Sequence, residues 1–583
     1  MNQNSPTNHS RYRRFIDHQR LRLSSSDALI QFAILGVLSG LCAGGVIILF
    51  RFLIETTQAS FLPQGSTENY EALDLVMRFS IPLFGAAIVA LLLHSLKNED
   101  RQVGVVHVME RLSYHQGRLP WKNAVAQFVS AAICIISGHS VGREGPAVHL
   151  GAASGSVLGQ GLGLHNNTIR TLVGCGTAAA IAASFNTPLA GVIFAMEVVM
   201  MEYTIAGFTP VILAAVSATT LTRVVYGSAP AFIIPPLEFG SLLELPYILL
   251  TGIVIGTLAA LFVHLLQIFT DNFEQTPLWK RIMFAGLIVG VLAIPAPEIM
   301  GIGYDTVDAA MMGSISISIL LIITLFKLVA TTAGLGLGLP GGLIGPTLFI
   351  GATAGSAMGH IGMILIPESH FISSEGFYAI IGMGAMMGAT LQAPLAALVA
   401  ILELTYNYNI ILPGMLAIIA AGMTSSELFN KGSVFLMLLK ARGLDYRNDP
   451  IAQSLRRVGV ASAMERGIAA HPREISRESA EILLAETPHW ILIEDDGHYV
   501  SALTAADLKH SLEQGDEQSF DLIKIPGRRL QVAAIHLRET LQEAYEAIGQ
   551  HGVEALYVYT LNAAGEQRIH GLLTRERVEA SYR

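Results

Sequence analysis

Hydrophobic and polar positions divide the chain into two stretches of different character. Up to about residue 440, apolar runs recur with short polar breaks. The first clean run, residues 28–50, carries no charged side chain. As a helix, a run of this length rises roughly 34 Å, enough to cross a bilayer core. It is long and begins well inside the chain, which argues against a cleaved signal peptide. Many later runs are short or interrupted by Gly and Pro, so spans cannot be counted by hydropathy alone. Backbone broken at membrane depth must be buried in protein or line a cavity. The pattern changes near Arg447-Asn448-Asp449-Pro450, after which charge rises and long apolar runs disappear.

The tail alternates helix-like and strand-like pieces, and two of its segments resemble each other. The first runs from Val460 through Ser479-Ala480-Glu481, Trp490-Ile491-Leu492-Ile493, an Asp495-Asp496-Gly497 turn and Leu503-Thr504-Ala505-Ala506-Asp507. The second has Thr540-Leu541-Gln542-Glu543-Ala544, Ala555-Leu556-Tyr557-Val558-Tyr559, a polar loop and Gly571-Leu572-Leu573-Thr574. Each reads as helix, strand, turn, strand, helix. The Asp-Asp-Gly turn is a hairpin signal.

The apolar stretch repeats itself as well. Residues 145–156 read GPAVHLGAASGS and residues 345–356 read GPTLFIGATAGS, with six of twelve positions identical at an offset of 200. A second pair follows in the same order: Asn186-Thr187-Pro188-Leu189-Ala190 through Glu197, and Gln392-Ala393-Pro394-Leu395-Ala396 through Glu403. Internal symmetry of Gly/Pro-interrupted apolar segments predicts a transporter fold of two repeats, with its binding site at the repeat interface near the midplane.

One charged island stands out in this apolar background, Gly142-Arg143-Glu144-Gly145-Pro146. An ionisable group at that depth is costly and marks a functional site by default. The glycines and proline end one helix and start another, leaving N–H groups free. A helix start of this kind attracts anions. A carboxylate beside it can occupy the anion site itself, which suggests a gate.

Composition agrees with a membrane protein: 52% hydrophobic, 14% charged and 56 glycines in 583 residues. Basic residues set the expected orientation. Arg11, Arg13, Arg14, Arg20 and Arg22 precede the first run, residues 55–76 have no Lys or Arg, and Lys97, Arg101, Arg111, Arg118 and Lys122 follow. This alternation places the N-terminus in the cytoplasm. The net charge of −9 is mild and gives no nucleic-acid signal. Cys42, Cys134 and Cys175 are isolated in apolar runs and read as packing. No metal-ligand spacing, no His-Glu-x-x-His and no Walker phosphate loop occur, which argues against a zinc protease and an ATPase. No enzymatic activity and no required cofactor are expected. Met383, Met386 and Met387 read as packing, His149 as a packed helix residue able to tune the gate, and His107 as a residue of the cytoplasmic surface.

With Gly142-Arg143-Glu144-Gly145-Pro146, Leu339-Pro340-Gly341-Gly342, Gly342-Leu343-Ile344-Gly345-Pro346 and the doubled Pro-Leu-Ala elements, residues 28–445 resemble the CLC family of chloride channels and proton–chloride exchangers. The resemblance implies a homodimer in which each subunit holds its own anion pathway, built from opposed helix N-termini. Glu144 falls on the family's gating glutamate, flanked on the pathway by Arg143 and Gly145. Leu343 and Ile344 fall in an element that usually carries Phe where Ile344 stands. Gln102-Val103-Gly104-Val105-Val106 stands for Gly-Ser-Gly-Ile-Pro, so Val103 replaces a serine and Gly104 keeps the glycine. Ser433-Val434-Phe435 matches a segment with a tyrosine, so Phe435 lacks a hydroxyl. A hydrogen bond to a charged group is worth roughly 1.5–3 kcal/mol. Losing both hydroxyls therefore predicts weaker central chloride binding and looser anion selectivity.

Exchangers of this family carry an inner glutamate directly after the position of Glu197, where this chain has Val198. Valine cannot shuttle a proton, which favours a channel. Glu197 and Glu202 remain candidate substitutes, although Glu197 has a counterpart, Glu403, in the second repeat and so reads as structural. The tail resembles a tandem pair of CBS domains, a family that often binds adenine nucleotides. Thr504 and Asp507 match its Thr/Ser-x-x-Asp ribose element, whereas the second copy has Thr574 with Arg577 in place of Asp. A role as a dimerisation and gating lever alone stays open.

The fold expected is an α-helical polytopic membrane protein with inverted repeats, followed by an α/β CBS pair. Its parts are a cytoplasmic segment 1–27, a membrane domain 28–445, a linker 446–455, and CBS domains 456–515 and 526–583. Both termini are expected in the cytoplasm, in the cell (inner) membrane, with chloride or other small anions, lipid and a second copy as partners. The leading functional expectation is a chloride channel gated by Glu144 and regulated by its CBS pair. The alternatives are a proton-coupled chloride exchanger, or a protein whose main anion is fluoride or nitrate.

Overall fold

The computed structural model describes residues 23, 28–203, 205–228, 232, 239–365, 373–444, 450–514, 517–562 and 565–582. The arginines at 11–22 and the linker residues 446–449 lie outside the described residues. Contacts divide the chain into two units. One comprises Ala33–Gln160 and Arg170–Tyr446; the other comprises Met1–Phe32, Gly161–Ile169 and Arg447–Arg583.

The first unit is helical. Its first half holds α1 (Leu29–Phe61), α2 (Leu75–Ser95), α3 (Gly104–Tyr114), α4 (Trp121–Ile136), α5 (Glu144–Gly161), α6 (Asn166–Phe185), α7 (Pro188–Phe194) and α8 (Ile205–Tyr226). Its second half holds α9 (Leu245–Asn272), α10 (Leu278–Ala293), α11 (Tyr304–Met311), α12 (Ile317–Gly336), α13 (Ile344–Leu365), α14 (Glu375–Leu391), α15 (Pro394–Thr405), α16 (Ile411–Met423) and α17 (Val434–Ala441). Among the described residues, eight helices are long and apolar enough to cross a membrane. Exposed Ile30, Phe84, Leu91 and Val224 are suited to lipid rather than water. By contrast, α5, α13 and α14 are buried along most of their length, as broken or Gly-rich segments at membrane depth must be.

Local chemistry sets the helix starts. Asp74 caps α2 by accepting from Met77 N at 2.7 Å, and Ser374 caps α14 through Phe377 N. Pro188 and Pro394 open α7 and α15 at the position where a missing N–H costs nothing. Small residues set the packing. A Cβ at Gly151 of α5 would collide with the carbonyl oxygen of Gly176 in α6, and one at Gly351 of α13 with that of Gly382 in α14. Two positions 200 residues apart thus bring two helix pairs into the same close contact. The sequence repeat is a structural repeat.

In the second unit, α18 (Pro450–Arg457) and α19 (Val460–Ala463) precede β1 (Ile468–Pro472), β2 (Glu474–Ser476), α20 (Arg477–Ala485), β3 (Trp490–Asp495), β4 (His498–Thr504), α21 (Ala505–Gln514) and β5 (Ser519–Asp521). Then follow β6 (Arg529–His536), α22 (Leu541–His551), β7 (Ala555–Leu561), β8 (Gln567–Thr574) and α23 (Arg575–Ala580). Six strands form one sheet in the order β1-β3-β4-β6-β7-β8, and β2 pairs with β5 separately. Each half repeats one plan: a parallel pair bridged by a helix (β1/β3, β6/β7), then an antiparallel hairpin (β3/β4, β7/β8). The hairpins even share an irregularity, at Ile493/Glu494 and at Val558/Tyr559. This duplicated α/β unit fits the tandem CBS arrangement. Thr540 and Glu543 form a full capping box at the start of α22.

Candidate functional site

The two repeats meet at their broken helix starts. Gly142, just before α5, and Gly342, just before α13, exchange both backbone hydrogen bonds: Gly142 N to Gly342 O at 2.7 Å and Gly342 N to Gly142 O at 2.8 Å. Equivalent residues pairing antiparallel with each other define a local two-fold axis between them. The bridge admits only glycine on the second side, because a Cβ at Gly342 would lie 2.5 Å from Gly145 N. It draws together the N-terminal ends of α5 and α13, where N–H groups are free and the helix dipoles are positive.

Glu144 occupies that meeting point and is fully buried. Its Oε2 accepts from Gly345 N, in the first turn of α13, at 3.1 Å. Its Oε1 accepts from the Tyr304 hydroxyl at the start of α11. Arg143 Nε stands 3.8 Å away, and its guanidinium reaches Glu55 at 3.5 Å and lies over the Tyr304 ring at 5.4 Å. Phe232 meets the same ring edge-on at 4.9 Å, and Tyr304 N donates to Glu68 at 2.8 Å.

On the other side of the bridge lies a cavity of about 410 Å³. Val103, Gly104, Gly145, Leu343, Ile344 and Phe435 all line it, together with Arg101, Arg281 and Arg442. The four sequence segments singled out for the anion path are therefore neighbours in space. Glu144 and Arg143 are not among the lining residues. Val103 and Phe435 present carbon, not hydroxyl, to this space; its polar side chains are the three arginines with Gln102 and Thr270, and the carboxylates Asp271 and Glu274. Sequence reasoning missed Gln127, which ties two of the segments together. Its Oε1 accepts from Gly104 N at 2.6 Å and its Nε2 donates to Pro340 O at 3.3 Å.

The coupling candidates separate clearly. Glu197 accepts from Leu395 N at 3.2 Å and Ala396 N at 2.6 Å, capping α15. Glu403 accepts from Leu189 N at 2.9 Å and Ala190 N at 2.7 Å, capping α7. The two carboxylates thus perform one reciprocal task across the repeat axis. Val198 is buried in a π-helical turn, Ala195–Met200, that continues α7. Glu202 is buried 3.3 Å from Arg170. Met383, Met386 and Met387 pack in the core, and no group of metal-ligating side chains occurs among the described residues.

His107 corrects the surface expectation: it is fully buried. Its Nδ1 lies 2.9 Å from His149 Nε2, while Arg111 Nε donates to its Nε2 at 3.2 Å. A guanidinium only donates, so His107 carries its proton on Nδ1 and gives it to His149. Both ring nitrogens of His107 thus find partners inside the protein, whereas His149 Nδ1 is buried without a hydrogen-bond partner among the described residues. Lys327, also buried, gives its ammonium to the carbonyls of Ile299, Gly301 and Ile302 at 3.0, 2.9 and 3.1 Å.

In the second unit, Thr504 Oγ1 donates to Asp507 at 2.6 Å and accepts from Asp507 N at 3.2 Å. A cavity of about 390 Å³ lies instead beside Arg577, lined by Met464, Glu465, Arg466, Gly467 and His489. There Arg577 pairs with Glu465 at 2.8 Å, and Glu465 also accepts from Trp490 Nε1 at 2.7 Å. Elsewhere in this unit, Arg473 grips Asp521 through Nε at 3.0 Å and Nη2 at 2.9 Å. These bonds hold the Asp521 carboxyl down to about 2 and push the guanidinium up.

Fold and site together define a polytopic helical membrane protein of the inverted-repeat class, with paired helix N-termini converging on a buried carboxylate. The chain belongs to the voltage gated chloride channel family, whose model matches residues 85–426. It is 33% identical over 394 residues to a ClcB-like chloride channel protein of Ralstonia nicotianae, covering 66% of this chain and 91% of the relative. It is 30% identical over 344 residues to the H(+)/Cl(-) exchange transporter ClcA of Vibrio cholerae, covering 58% and 73%. In fold it is similar to a slow cyanobacterial Cl-/H+ antiporter, with a TM-score of 0.60, 24% identity, and coverage of 72% of this chain and 99% of that one.

Proposed function

We propose that this protein moves chloride across the cell membrane in exchange for protons, with Glu144 closing the anion path. The observation that carries this reading is the Glu144 carboxylate itself. It takes the Gly345 N–H, a donor that an anion at the convergent helix starts would use. Behind it lies a cavity lined by Arg101, Arg281 and Arg442 against Asp271 and Glu274, a positive excess that favours anions. The similarity to an H(+)/Cl(-) exchange transporter favours exchange over passive conduction. Protonated, Glu144 loses its charge and yields the site to chloride, so one group links the two fluxes. Val103 and Phe435 line the cavity without hydroxyls, and selectivity for chloride over nitrate is weak as a result.

A passive channel is the second reading, and one observation favours it. Val198 sits in an apolar turn where a proton carrier is wanted, and the nearest carboxylate, Glu197, spends both oxygens on α15. Chloride efflux from proteoliposomes with simultaneous pH recording decides between the two. Proton uptake driven by a chloride gradient supports exchange and turns attention to Glu202. Chloride efflux without proton movement supports the channel. In either case Glu144→Ala removes the gate and abolishes the pH dependence of flux.

The working arrangement we propose is a homodimer in the inner membrane with both termini in the cytoplasm. The CBS-like unit would sense adenine nucleotide there, with Asp507 as the ribose contact. Deleting residues 455–583 is expected to remove any nucleotide response of the flux; an unchanged response would rule that role out.

A further inference from the structure

We propose that Tyr304 is the latch of the Glu144 gate: its hydroxyl holds the carboxylate in the closed position. The inference rests on the reading of Glu144 as the gate. The carboxylate is gripped from two sides. Gly345 N, from the second repeat, takes Oε2 at 3.1 Å, and the Tyr304 hydroxyl takes Oε1. The first grip is backbone and belongs to the anion site; the second is a side chain and is free to vary.

Tyr304 is built into place before it reaches Glu144. Its N–H is fixed on Glu68 at 2.8 Å, and its ring sits against Phe232 at 4.9 Å and under the Arg143 guanidinium at 5.4 Å. Three constraints leave the hydroxyl one direction, toward Oε1. The other charged groups here remain in place when only the hydroxyl is removed. They are Arg143 at 3.8 Å on α5, Glu55 of α1 through Arg143, Glu68 of the α1–α2 loop, Asp305 of α11 and Lys327 of α12. The first turn of α13 adds no ionisable side chain.

A hydroxyl donating to a carboxylate favours its ionised form. Without it, the ionised carboxylate keeps only the Gly345 grip and leaves the site more readily. Tyr304→Phe keeps the ring and its packing. It is expected to raise chloride flux at neutral pH several-fold and to move the midpoint of flux against external pH upward by about one to two units.

The test is chloride flux across the pH range in proteoliposomes of the full chain, for wild type, Y304F, E144A and the double variant. The latch requires that Y304F shift the midpoint and that it change nothing further in the E144A background. A wild-type pH profile in Y304F, with E144A still altering flux, overturns the latch and leaves the gate standing. An equal gain from Y304F with and without Glu144 also overturns it, since Tyr304 would then act on pore width. If E144A itself leaves flux unchanged, the gate fails and the latch with it. Should Y304F not assemble, 3,5-difluorotyrosine at position 304 keeps the shape and donates more strongly. It must move the midpoint downward, and an unmoved or raised midpoint overturns the proposal.

Discussion

The helix starts at α5 and α13 are the same structure with different cargo. Both follow a glycine bridged to its counterpart, both carry Gly-Pro in the first turn, and both pack on the next helix through a glycine. They differ in the residue just before Gly-Pro: Glu144 in the first repeat, Ile344 in the second. Positions shared by the repeats hold backbone geometry, and positions not shared hold chemistry. Ile344 lines the cavity, while Glu144 lies between the helix starts and accepts from Gly345 N.

The bridge glycines offer the sharpest way to break this comparison. They are equivalent in the fold, yet an added methyl meets different things. At Gly342 it would lie 2.5 Å from Gly145 N, which is backbone and cannot give way. Gly342→Ala is therefore expected to abolish assembly, read as loss of a monodisperse peak in detergent. At Gly142 the nearest atom is Glu144 Oε2, also at 2.5 Å, the end of a side chain able to swing out. Gly142→Ala is expected to assemble at reduced yield and to pass chloride without pH gating. Equal loss of assembly in both would show that the bridge tolerates no change on either side and would erase the asymmetry.

A smaller effect probes the reciprocal caps. Glu197 and Glu403 do the same work for α15 and α7. Replacing either by Gln keeps one acceptor and removes the charge at the helix N-terminus, a loss of about 1 kcal/mol in each case. Thermal melts should place E197Q and E403Q close together, with the ratio of protons to chloride unchanged in both. A changed ratio in E197Q alone would return Glu197 to the proton path.

The same comparison shows what was readable in the sequence. The repeat, the place of Glu144 between the helix starts and the cavity segments were legible, because Gly and Pro at fixed spacing encode backbone breaks that few other residues allow. The pairing of Glu197 with the opposite repeat was half legible: the matched Glu403 argued for structure, but not for which helix each one caps. Tyr304 was not legible. It stands 160 residues from Glu144 in the chain, and an aromatic beside a glycine turn reads as packing. Gln127 escaped for the same reason, since its partners come from two distant loops. His107 misled because its place beside the Gln102–Val106 motif says nothing of its partners; only the fold brings the His149 ring against it. Long-range side-chain pairs carry no local period, and the contacts of Tyr304, Gln127 and His107 are of that kind.

The second unit allows a gentler test of shared plan and unshared side chain. Its two halves repeat the same strands, but the clamp between Arg473 and Asp521 belongs to the first half, where it fastens the loop after β1 to β5. Held down to about 2 from an ordinary 3.8, Asp521 supports the folded first half at every pH above its unfolded value. As pH falls below 3.8 that support shrinks, and it is gone once pH has passed through about 2. Arg473 and Asp521 are exposed enough for solvent and salt to screen them, so the effect is small. Pepsin cleavage of the full chain between residues 473 and 521 should quicken as pH drops from 4 to 2, more steeply than cleavage between 529 and 574. Arg473→Gln should raise the rate at pH 4 and flatten that dependence in the first half alone. Equal steepness in both halves, before and after the substitution, would mean that the shared strands and not the clamp set the acid response.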